Sequence, residues 1–276
     1  MQVLVTGANG KIGKALRDHL GDDDRYTFTW LDKADDPSRE THVGNTTDEA
    51  ALHAAAEGTD AIVHLAMASY LGAAPSREIT YHEETPMPAQ EISYVLDAAR
   101  ANDAKVIYAS SNHAVGLYEV LHAPDIYYPD HDLLVDHTTP ACPDSRYGAM
   151  KVYSEGLGNL AAEVHGVPFY SLRIGALRSP DYDHPYGDAE RRVERGQFER
   201  GSPEYEEQVA RMKALWLSRR DAAQLVECCL QDESVTYDVF YGVSESDHAW
   251  LDIQHATDVL GYQPADRADD WDAPPG

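Results

Sequence analysis

A chain of 276 residues is long enough to bury a full core, and its length suits one domain with a modest appendage better than two independent domains. No apolar run approaches the roughly 18 residues of a membrane-spanning helix. With 48 acidic residues against 22 basic ones and a formal net charge of -26, the chain is also a poor partner for nucleic acid, whose phosphates demand a basic surface.

In chain order, Met1-Gln2-Val3-Leu4-Val5 starts a strand almost at once. No basic stretch leads into an apolar one there, so no leader peptide is expected and cytoplasmic residence is. Strands are predicted at residues 2–6, 26–31, 61–65, 105–109, 168–173 and 237–241, and helices at 11–20, 48–56, 90–101 and 146–165. This alternation predicts βαβ units around a parallel sheet. Ala61-Ile62-Val63-His64-Leu65 is apolar on consecutive residues, as befits a strand buried on both faces. Residues 180–212 differ: they are rich in Asp, Glu, Arg, Tyr and Gly, with weak periodicity. Such an excursion either covers an active site or is a solvated insertion. Cys142, Cys228 and Cys229 make an odd set with an adjacent pair, which is neither a disulfide framework nor a zinc spacing, so idle thiols and no metal are expected.

The first predicted strand runs into Gly7-Ala8-Asn9-Gly10-Lys11-Ile12-Gly13 and then a helix. In this strand–turn–helix setting Gly7 permits a tight turn, Gly10 lets a pyrophosphate approach the backbone, and Gly13 allows close helix packing. The helix start offers free N–H groups and a partial positive charge to the anion. Asp32, at the end of the second strand, can accept hydrogen bonds from the adenosine ribose hydroxyls, which favours NAD. Lys33 beside it could tolerate the 2′-phosphate of NADP, and Asp32 could equally be an ordinary loop acid.

Tyr147 and Lys151 stand four residues apart on one face of a predicted helix. A phenol with a pKa of about 10 is a poor base near neutrality. A lysine close by, together with a positive nicotinamide, favours phenolate and makes proton abstraction feasible. The preceding strand ends in Tyr108-Ala109-Ser110-Ser111-Asn112-His113, which places Ser111 where ligands of open α/β sheets bind.

Together the glycine turn, the serine strand end and the Tyr147/Lys151 pair resemble the extended short-chain dehydrogenase/reductase family over nearly the whole chain. The resemblance implies a Rossmann-type doubly wound α/β sheet with a small C-terminal substrate-binding region. Residues 1–175 would bind NAD(P), completed by about 215–243, while 176–214 and 244–276 would hold substrate. It implies that Tyr147 is the base, that Lys151 lowers its pKa and binds the nicotinamide ribose, and that Ser111 orients the reacting hydroxyl. NAD or NADP would lie against Gly7, Asn9, Gly10, Lys11, Ile12, Gly13, Asp32, Lys33, Asn45, Leu65, Ala66, Tyr147 and Lys151. A homo-oligomer, dimer or tetramer, is expected.

More narrowly, Ser110-Ser111-Asn112-His113 looks like the signature of uronate dehydrogenases and the related haloarchaeal sugar dehydrogenases, which act on glucose 6-phosphate or L-arabinose. Trp216-Leu217-Ser218 and Tyr241-Gly242-Val243-Ser244 strengthen that likeness. It implies oxidation of the anomeric carbon of a cyclic sugar to a lactone. Asn112 and His113 would contact sugar hydroxyls or orient Ser111, and a purely structural hydrogen bond is the other role open to His113. Arg211 matches an arginine that grips a carboxylate, although a surface ion pair is open to it too, and Ser69 matches a sugar-contacting serine.

Two departures argue for a different sugar. Ala176 stands where uronate enzymes carry a serine, and Pro86-Met87-Pro88-Ala89 replaces the usual Asn-x-x-Gly. A neutral aldose such as L-arabinose is therefore favoured over glucose 6-phosphate, with Arg178 and Arg211 keeping the phosphate open. A uronate substrate and a nucleotide-sugar epimerase or dehydratase remain the alternatives, although the chain after Lys151 is short for a nucleotide diphosphate. The dispersed acid and scarce lysine resemble proteins of salt-loving archaea, where salt screens self-repulsion.

Overall fold

A computed structural model describes residues 1–67 and 89–275. In chain order come β1 (Gln2–Thr6), α1 (Lys11–Leu20), β2 (Thr27–Asp32), β3 (His42–Val43), α2 (Glu49–Ala55) and β4 (Ala61–His64). Next are α3 (Ala89–Asn102), β5 (Lys105–Ser111), α4 (Gly116–His122), α5 (Arg146–His165) and β6 (Phe169–Ile174). The chain closes with α6 (Gly187–Glu194), α7 (Pro203–Leu215), α8 (Arg219–Gln231), β7 (Tyr237–Gly242) and α9 (Gln254–Leu260).

The strands form one sheet of order β3-β2-β1-β4-β5-β6-β7, parallel throughout. This is the expected Rossmann-type doubly wound sheet. Every residue of β4 and of β6 is buried, because helices cover both faces. One face packs Leu16 of α1, Leu225 and Cys229 of α8, and Ala256 of α9. The other packs Leu52 of α2, Ile92 and Val95 of α3, and Ala161 of α5. A third cluster, holding Val115, Tyr127, Met212, Trp216, Tyr241 and Trp250, joins α7 to the C-terminal segments.

The strand order reverses between β1 and β4, the place where doubly wound sheets open a crevice beyond their C-terminal strand ends. The segment read from sequence as an excursion is more ordered than expected. It holds α6 and most of α7, with a small core of Ala189, Tyr205 and Val209. Ser202 caps α7 by accepting from the Tyr205 N–H at 3.3 Å, and Pro203 occupies the first turn.

Candidate active site

The glycine turn shapes one wall of a groove above β1 and β4. Gly7 has φ +70°, and a Cβ there would lie 2.6 Å from the Ala66 nitrogen, so neither the conformation nor the space admits a side chain. A Cβ on Gly13 would meet the Ala8 carbonyl at 2.4 Å, so α1 lies tight on the turn. α1 begins with Gly10 as its N-cap, without a capping side chain and without an acid in its first turn. Its first N–H groups thus face the groove without a carboxylate to satisfy them.

The groove has two connected parts. One, of about 470 Å³, is lined by Gly7, Gly10, Asp32, Lys33, Asn45, Leu65 and Ala66. Asp32 is oriented by the main-chain N–H groups of Asn9 at 2.9 Å and Ala34 at 3.1 Å. The other, of about 270 Å³, shares Gly7, Gly10 and Leu65 and adds Lys11, Ile12, Gly13, Ser111, Tyr147 and Lys151. Asn9 alone of the expected nucleotide residues is missing from both linings. Its amide donates to the Ala34 carbonyl at 2.7 Å and so braces the loop after β2.

The second part brings the three expected catalytic side chains together. Ser111 ends β5 and caps the turn after it, its hydroxyl accepting from the His113 N–H at 3.3 Å. Ser145 caps α5 by accepting from the Gly148 N–H at 3.1 Å, which sets Tyr147 and Lys151 one turn apart. A Cβ on Gly148 would fall 2.1 Å from the His113 carbonyl, so only glycine lets α5 approach the strand end this closely. The Lys151 ammonium, 4% exposed, donates to the Ala109 carbonyl at 2.6 Å and lies 5.6 Å from the centre of the Tyr147 ring.

Burial pushes Lys151 down to about 8, against the opposing charges of Glu91 and Glu155. Tyr147 departs from expectation: its phenol is pushed up rather than down. Burial raises it, a hydrogen bond with Ser111 lowers it, and the Asp144 carboxylate raises it again. The lysine's charge is spent in part on the Ala109 carbonyl.

His113 Nδ1 lies 2.7 Å from Asp144 Oδ2, and its ring is edge-on to Tyr147 at 5.6 Å. Asn112 is buried and accepts from the Ser111 hydroxyl at 3.3 Å. Ser69 lies outside the described residues.

Arg211 requires a correction. Its Nε and Nη2 donate to Glu119 of α4 at 2.5 and 3.3 Å, and the Tyr127 hydroxyl donates to the same carboxylate at 2.8 Å. Its charge is met within the protein in a partly buried pair, the Arg211 side chain 23% and the Glu119 side chain 5% exposed. Glu119 was missed because 92 residues separate the partners. Arg178 does line the groove beside Lys11, pinned by Asp188 at 2.7 and 2.6 Å. Lys11 is pushed down by burial and then by the charges of Arg178 and Arg191. Through Asp188 the excursion fixes Arg178, a residue of the groove wall that precedes it.

A continuous groove with a side-chain-free turn, uncapped helix N–H groups and an oriented carboxylate at its far end fits a dinucleotide. Among the described residues no cluster of His, Cys, Asp or Glu could hold a metal, and no helix is long and apolar enough to cross a membrane. Residues 3–239 match the NAD dependent epimerase/dehydratase family. An NAD-dependent glucose-6-phosphate dehydrogenase of Haloferax volcanii is 33% identical, over 96% of this chain and 94% of that protein. An L-arabinose 1-dehydrogenase (NAD(P)(+)) of the same organism is 30% identical, over 97% of each. Among solved structures, glucuronic acid dehydrogenase of Chromohalobacter salexigens is 25% identical with a TM-score of 0.70, over 98% of this chain and 86% of that one.

Proposed function

We propose, from the premise that the chain belongs to the NAD dependent epimerase/dehydratase family, that it is an NAD(P)-dependent sugar dehydrogenase. Its reaction is oxidation of the C1 hydroxyl of an aldose, of the L-arabinose kind or glucose 6-phosphate, to the lactone. The observation that carries this reading is the convergence of Ser111, Tyr147 and Lys151 in the part of the groove continuous with the glycine turn. Relatives named for both kinds of sugar support it.

When bound, NAD(P) supplies the acceptor for the hydrogen and electron pair that leave C1. Tyr147 takes the proton of the C1 hydroxyl as the C1–O bond becomes a carbonyl, and Ser111 holds that oxygen toward the phenol. Lys151 contributes its positive charge to the phenolate. Tyr147 starts from a raised pKa, so charge supplied around it decides whether it acts as a base near neutrality. Gly7, Gly10 and the first turn of α1 would hold the pyrophosphate, and Asp32 the adenosine ribose.

A uronate is disfavoured because Ala176 offers no hydroxyl and Arg211 already has its carboxylate in Glu119. Residues 1–175, with about 215–243, serve the nucleotide, and 176–214 with 244–276 serve the sugar. The exposed apolar residues Tyr153, Leu160 and Val164 on one face of α5 support a homo-oligomer. The net charge of -26 supports a cytoplasm rich in salt as the working environment. Tyr147→Phe tests the reading. Turnover is expected to fall by about 10²-fold or more while dinucleotide binding stays within a few-fold, and an unchanged rate removes Tyr147 from the chemistry.

A further inference from the structure

Behind the catalytic helix lies a second, much smaller cavity, with room on the order of one water molecule. It is lined by His64, Glu91, Tyr108, Lys151 and Ser154. We propose that Glu91 is a positioning residue for Lys151, its buried carboxylate facing the ammonium across this cavity and keeping the lysine charged. The inference rests on the reading of Lys151 as partner of the base Tyr147.

The argument begins from the cost of burying an ammonium. Lys151 is 4% exposed, and among the described residues no carboxylate lies within ion-pairing distance of it. Of its three N–H donors, one goes to the Ala109 carbonyl at 2.6 Å, and the Tyr108 ring centre lies 4.6 Å away. These contacts do not cancel desolvation, so the charged form depends on carboxylates at somewhat longer range.

Two carboxylates supply that field. Glu155, one turn along α5, is held by Arg173 of β6 at 3.1 and 2.8 Å and accepts from Ser110 at 2.5 Å. Its charge is largely matched where it stands. Glu91 of α3, also 4% exposed, accepts from the Thr46 hydroxyl among its contacts and contributes the larger opposing effect on Lys151.

Among the described residues, the other titratable groups lining the cavity add no net charge. His64 of β4 is bonded to Thr6 at 2.7 Å and is pushed down to about 4 by burial, so it is neutral near pH 7. Tyr108 of β5 is pushed up by burial, and so is Tyr147 of α5. An alternating set of hydroxyl, carboxylate and ammonium thus spans from α3 to the catalytic helix.

The test is the pH profile of sugar oxidation in Glu91→Gln, beside wild type and Tyr147→Phe. Loss of the carboxylate charge makes the lysine easier to deprotonate. The alkaline limb is expected to lie about one pH unit lower than in wild type. The KM for dinucleotide stays within about twofold, and Glu91→Asp restores the limb. A readout without turnover is NMR titration of selectively labelled Lys151 in the full chain, where the amine pKa falls by the same amount.

If Glu91→Gln does not fold, Glu91→Met is the second variant, which removes the same charge, so the same downward shift is expected. An unmoved limb together with an unmoved lysine titration overturns the proposal. An active Tyr147→Phe would instead overturn the catalytic reading beneath it.

Discussion

At the scale of single residues, chemistry here turns on which charges are already matched. Arg211 and Glu119 neutralise each other in a partly buried, hydrogen-bonded pair with Tyr127, and that carboxylate raises Arg211 above its usual range against the lowering effect of desolvation. Removing one partner strands the other. Arg211→Ala is therefore expected to cost about 3 kcal/mol or more of stability, read as a fall in the denaturant midpoint. A variant as stable as wild type, altered only in its KM for sugar, would return Arg211 to the substrate. The residue types of Ser111, Tyr147 and Lys151 were legible from sequence because their chemistry follows from order and spacing. Glu119, Asp144 and Glu91 were not legible, since each acts on a residue of another element and no local pattern marks the pairing.

At the scale of elements, legibility followed burial geometry. α5 was read with its observed limits, because Ser145 caps it and Gly166 ends it in a left-handed conformation. α7 was hidden for a physical reason. One side of it packs into the cluster around Trp216 and Trp250, and another side carries Tyr205 and Val209 into a separate small core. A helix buried on two sides loses the single apolar stripe that sequence reading looks for. α8 was not read from the sequence, although its start is capped: Ser218 accepts from the Asp221 N–H at 3.0 Å, three residues on. β3, two exposed residues at the sheet edge, has too little pattern to show. At Gly148, α5 approaches the turn after β5 closely. Gly148→Ala would force α5 away from the Ser111 strand end and is expected to cost about 1–3 kcal/mol, with a loss of activity beyond that of stability. Wild-type turnover in that variant would show that the distance between Ser111 and Tyr147 is not critical.

At the scale of the whole molecule, the sheet order places the glycine turn and the Ser111 strand end on either side of β4. One groove can then serve dinucleotide and sugar together. The sheet was legible because its strands are apolar on consecutive residues. The excursion beside the groove was not, because its order comes from α6 packing on α7 within it, contacts that no local pattern marks. The acidic composition sets conditions and not chemistry: at low salt a net charge of -26 repels itself, and molar salt screens that repulsion. The most direct measurement is therefore made there, following NAD(P)H and lactone while L-arabinose, glucose 6-phosphate and a uronate are offered in turn. One NAD(P)H released per lactone, from the aldose or its phosphate and weakly if at all from the uronate, is the predicted result. No net NAD(P)H from any sugar, with a nucleotide sugar interconverted instead, would contradict it.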